Sequence, residues 1–105
     1  MTTMKLTHHA RYDRTERLVA ILSHIGLGET KYRLTKLDTP NRTAIITTTG
    51  VMLVYDREET TLITGYVPTV DKVYAMCVRN DIRIDQSLIK VIKRNWTRYE
   101  WIAKM

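Results

Sequence analysis

Residues 43–56 are apolar on what would be both faces of a β-strand: Ile45 and Ile46 are neighbours, and so are Met52, Leu53 and Val54. Strand side chains alternate between faces, so adjacent apolar residues leave neither face for water. Such strands need cover on both sides, and in a chain of 105 residues that cover has to be helical. Gly50 divides the stretch, and its access to positive φ suits a tight antiparallel hairpin joining residues 43–49 to 51–56.

The flanking sequence supplies the other elements. Ala10, Leu18, Ile21, Leu22 and Ile25 form an i, i+3, i+4 stripe that predicts a helix over residues 7–24, opened by a Thr7 cap and closed at Gly26. Tyr32 and Leu34 alternate with Arg33 and Thr35 until Thr39, Pro40, Asn41 and Arg42 punctuate the chain. After the polar run Asp56, Arg57, Glu58, Glu59, strand character resumes over residues 61–67 and stops at Pro68. Thr69 caps a short helix through Val70, Val73, Tyr74 and Cys77 to about Asn80. A longer helix follows Asp85, with Leu88, Ile89, Val91, Ile92, Trp96, Tyr99 and Ile102 on its buried side. The expected class is α+β: an N-terminal helix, a four-stranded antiparallel meander, then a short helix and a longer basic C-terminal helix. All of it forms one domain, with residues 1–68 as helix plus sheet and 69–105 as a helical C-terminal extension.

Composition narrows the function classes. No apolar run exceeds about five residues where a membrane span needs roughly twenty, so no membrane partner is expected. Met1 to His9 lacks the apolar stretch of a signal peptide, which makes the cytoplasm the expected location. A single cysteine excludes an internal disulfide framework and cysteine-rich zinc modules. Seventeen Lys and Arg against eleven Asp and Glu give a net charge of +6, which favours polyanionic partners. The surplus is uneven: beyond residue 84, Lys90, Lys93, Arg94, Arg98 and Lys104 face only Asp85 and Glu100.

Few residues could carry chemistry. His8 and His9 are adjacent, so on a helix they point about 100° apart and make poor joint ligands; no metal and no cofactor is expected. Gly26-Leu27-Gly28 follows a helix instead of a strand and reads as a helix stop, not a nucleotide loop. Cys77 sits on an apolar stripe and reads as core. A histidine in the first turn of a helix has its pKa lowered by the dipole, so His8 or His9 could serve as a neutral general base, with Arg11 and Arg14 within a turn to hold a phosphate. From composition alone the solvated side of a surface helix is the favoured reading of the same residues. On the last strand Leu62, Thr64 and Tyr66 share one face by alternation, and Ile63, Gly65 and Val67 the other. Thr64 and Tyr66 could bind a scissile phosphate, or could be ordinary strand residues. Lys90, Lys93, Arg94 and Arg98 form a basic side of the last helix suited to phosphates without reading sequence. Trp96 and Tyr99 are expected on the sheet, while Trp101 falls off the stripe, where it could stack on a base or fill a core, dimer or partner contact.

A helix opening on a His-Ala-x-x-x-Arg type segment, strands reading Ala44-Ile-Ile-Thr-Thr-Thr-Gly-Val-Met-Leu-Val-Tyr-Asp56 and a last strand reading Leu62-Ile-Thr-Gly-Tyr-Val67 resemble the barnase/EndoU/colicin/RelE (BECR) group of small ribonuclease domains, toxin- and phage-type members included, over about residues 5–68. The resemblance implies metal-independent RNA cleavage with His8 or His9, Arg11 or Arg14, and Thr64 with Tyr66 as the catalytic set. The central-strand His or Lys used by many members is absent, and the helical tail from Val70 is extra. The functional expectation is a small basic RNA-acting domain, a ribonuclease in its specific form. The alternative is a non-enzymatic phage-type inhibitor or regulator whose basic C-terminal helix meets nucleic acid, RNA before DNA, or an acidic host protein. A homodimer through the C-terminal aromatics is left open.

Overall fold

The computed structural model describes Lys5–Leu6 and residues 15–105. The elements run β1 (Lys5–Leu6), α1 (Thr15–His24), β2 (Thr30–Leu34), β3 (Arg42–Thr47), β4 (Met52–Asp56), β5 (Thr61–Tyr66), α2 (Val70–Arg79), α3 (Gln86–Arg98) and α4 (Glu100–Ala103). The α+β class and the element order follow the sequence. Strands β2 to β5 form the antiparallel meander, and β1 adds a fifth strand parallel to β5, giving the sheet order β1-β5-β4-β3-β2. That short edge strand has no periodic signal, because two residues cannot show a period.

Alternation along the central strands builds two cores. Ile45 pairs with Leu53 and both face α1 and α4, joining Leu18, Ile21, Leu62 and Ile102. Ala44 pairs with Val54 and Ile46 with Met52; this face meets Leu34, Val73, Cys77, Leu88 and Ile92 from β2, α2 and α3. The doubly apolar strands are thus covered by helices on both sides.

Three details depart from the expected elements. The β3–β4 loop is longer than a hairpin at Gly50 alone, because its threonines bond elsewhere: the Thr49 hydroxyl donates to the Gly26 carbonyl (2.7 Å), and the Thr49 carbonyl accepts from Asn95 Nδ2 (2.8 Å). The pairing of β4 with β5 shifts register between Val54 and Tyr55, so Leu62 faces α1 while Tyr66 packs on the α2 side, and the expected common face of Leu62, Thr64 and Tyr66 is broken. A register shift adds a residue to one strand, which inverts the alternation beyond it. The long last helix is also interrupted at Tyr99 (φ −128°, ψ 38°), and α4 starts a new direction.

Caps hold the helices where the sequence places them. Thr69 Oγ1 accepts from the Lys72 amide at the start of α2, and Asp85 accepts from the Ser87 amide at the start of α3. Among the described residues no helix is long and apolar enough to cross a membrane.

Candidate nucleic-acid interface

The strongest candidate site lies on α3. The helix buries Leu88, Ile89, Ile92 and Asn95, which turns Lys90, Lys93, Arg94 and Arg98 out to solvent. None of these four cations has a carboxylate within ion-pair distance among the described residues. By contrast Lys31 meets Asp85, Arg33 meets Glu59, Lys36 meets Asp81, Arg79 meets Asp38 and Lys104 meets Glu100. Unneutralised cations on one helix face sum to a local positive potential, the condition for contacting a phosphate chain.

The C-terminal end of this strip is concave and aromatic. Arg94 and Arg98, one turn apart, line a polar hollow of about 200 Å³ with His24, Thr49, Asn95 and Tyr99. The interruption at Tyr99 lets Ile102 turn inward, fully buried, while Trp101 turns out and stays 54% exposed. Its ring meets His24, in the last turn of α1, edge-on at 5.2 Å between centroids, and the Tyr99 ring lies 6.1 Å from that of His24. An exposed indole packed on His24, which lines the same hollow as Arg94 and Arg98, offers a stacking surface near phosphate donors. Trp96 is used otherwise: half-buried, it donates Nε1–H to the Pro68 carbonyl (2.8 Å). His24 carries no signal of this role in the sequence, because its meeting with Trp101 depends on the break after α3.

The other expected site is only partly visible. Thr7, His8, His9, Arg11 and Arg14 lie outside the described residues. Thr64 and Tyr66 are both half-buried on β5. The residue that engages them is Arg17, missed in the sequence because it is three positions beyond the expected arginines. Its Nε donates to the Gly65 carbonyl (2.7 Å), Nη2 to Thr64 Oγ1 (2.8 Å) and Nη1 to the Met105 carbonyl (3.1 Å), and the guanidinium lies 5.9 Å from the Tyr66 ring centre. With every guanidinium nitrogen bonded within the fold, Arg17 ties α1, the β5 edge and the chain end together. Burial pushes the Tyr66 phenol up from its ordinary pKa, against a smaller opposite effect of Arg17. Cys77 is fully buried, and desolvation likewise raises its thiol pKa, the reverse of what a nucleophile needs. Among the described residues no three His, Cys, Asp or Glu side chains converge as a metal site would require.

The chain has no significant match among protein-family models, curated proteins or solved structures.

Proposed function

We propose that this protein binds single-stranded nucleic acid, RNA in particular, along the exposed side of α3. Lys90, Lys93, Arg94 and Arg98 contact successive phosphates, and Trp101 with His24 receives a base at the end of the strip. The observation that carries the reading is the set of four cations on one helix face without carboxylate partners among the described residues, ending at a half-exposed indole. Backbone contacts of this kind give affinity without sequence readout, while stacking favours unpaired bases.

Fluorescence anisotropy with a labelled RNA of about twelve nucleotides, in EDTA, tests it. Binding should be lost in the Lys90→Glu/Arg94→Glu variant while the fold persists. Binding that survives these reversals would discard the α3 interface. The same incubation reads cleavage: 2′,3′-cyclic ends abolished by His8→Ala/His9→Ala would identify the ribonuclease form of this function, and intact RNA would confine the domain to binding. An acidic protein as the true partner would be revealed by polyglutamate displacing the RNA at equal charge concentration.

A further inference from the structure

A second cavity, on the α2 side of the sheet, is built for a different ligand. It holds about 300 Å³ between α2, the chain after β2 and the face of strands β3 to β5. Its floor is aliphatic: Ala44 and Val54 from the central strands, Ile63 from β5 and Met76 from α2. Such a volume is at the lower end for small-molecule pockets, and a methionine in the wall adapts to an irregular ligand.

Polar groups line the cavity as well, Asp38, Arg42, Tyr66, Lys72 and Arg79 among them. Arg42 and Lys72 line the cavity, and neither has a carboxylate partner among the described residues; Arg42 makes one bond, to the neighbouring Asn41 carbonyl (3.2 Å). Arg79 also lines it, but is held by Asp38. Tyr66 adds a phenol with no hydrogen bond of its own among the described residues, a protonated donor at neutral pH. An apolar floor with two unneutralised cations and one free O–H donor matches a ligand with a compact hydrocarbon body and a single anionic head.

We propose that this cavity is a binding site for a small amphipathic carboxylate, its hydrocarbon part on Ala44, Val54, Ile63 and Met76 and its carboxylate held by Arg42, Lys72 and the Tyr66 hydroxyl. The site is separate from α3 and does not depend on nucleic-acid binding.

Octanoate and its uncharged analogue octanamide are the probes, with amide chemical shifts of the full chain as the readout. Saturable shifts are expected at residues 42–44, 54, 63, 66, 72 and 76, with octanamide weaker by about tenfold or more. The Arg42→Gln/Lys72→Gln variant should lose that preference and bind acid and amide alike. Three outcomes overturn the proposal: shifts that map instead to the apolar groove around Leu18, Val19 and Leu22; equal binding of acid and amide by the unaltered protein; or octanoate that fails to saturate by about 10 mM. The comparison of acid with amide stands on the unaltered chain, so a misfolded variant leaves the proposal testable.

Discussion

Gly50 and Asp85 show how single positions set this fold. Gly50 has φ +81°, and a Cβ there would come 2.8 Å from Asn95 Nδ2 and 3.2 Å from side-chain carbons of Ile92 and Val91. Left-handed strain and overpacking therefore act together, and Gly50→Ala should cost about 2–4 kcal/mol in urea unfolding. The Asp85 carboxyl lies at a pKa of about 2, below its ordinary 3.8, chiefly because it accepts from the Ser87 amide, with the Ser87 hydroxyl and Lys31 adding to it. A lowered folded pKa gives stability that is complete above the ordinary value and is lost as pH falls from 3.8 towards about 2. Asp85→Asn keeps a capping oxygen and removes the titration, so the acid-side fall in the urea midpoint should shrink. It should not vanish, because Asp56 and Glu100 are also lowered, by hydrogen bonds from Thr60 and Lys104 respectively.

At the scale of elements, the break between α3 and α4 decides most. Leu88 and Ile92 pack on the α2 side of the sheet, whereas Ile102 packs with Leu18 and Ile21 on the α1 side. A straight helix cannot serve both faces, so the chain turns at Tyr99, and that turn exposes Trp101. Two neighbouring residues should then behave oppositely. Ile102→Ala, at a fully buried site, should lower stability by about 2–5 kcal/mol in denaturant titration. Trp101→Ala should leave the urea midpoint nearly unchanged and weaken RNA binding by about 1–3 kcal/mol in anisotropy. The continuous stripe from Leu88 to Ile102 reads as one helix because periodicity reports which residues are apolar, not which core they join. The register shift in β5 is hidden for a similar reason, since alternation is counted from a sequence with no knowledge of its partner strand.

For the whole molecule, charge and layering are arranged independently. The two cores lie inside the helix–sheet–helix sandwich, while among the described residues Lys31, Arg33, Lys36, Arg79 and Lys104 are matched with carboxylates and the α3 strip is not. If all four α3 cations engage phosphates, the logarithm of RNA affinity should fall against the logarithm of salt with a slope of about −3, and each cation neutralised should lessen the slope by about 1. A salt-independent affinity would show that the strip is not the contact. Arg17 joins three separate parts of the fold with one side chain, and its replacement by Met should destabilise the protein by about 1–3 kcal/mol through the partly buried Gly65 carbonyl left without its donor, measured in the same urea titrations.

The amino-acid sequence alone determined the α+β class, the meander, the cap at Thr69, the start of α3 after Asp85 and the basic side of α3, because each rests on local periodicity or on a side chain bonding its own backbone. Tertiary structure alone decided that Arg17 reaches Thr64, that His24 meets Trp101, and that Arg42, Lys72 and Tyr66 share one cavity. Arg17 and Thr64 lie 47 positions apart, His24 and Trp101 lie 77 apart, and Arg42 is 24 positions from Tyr66 and 30 from Lys72; only the packing of two helical layers on one sheet brings such distant groups together.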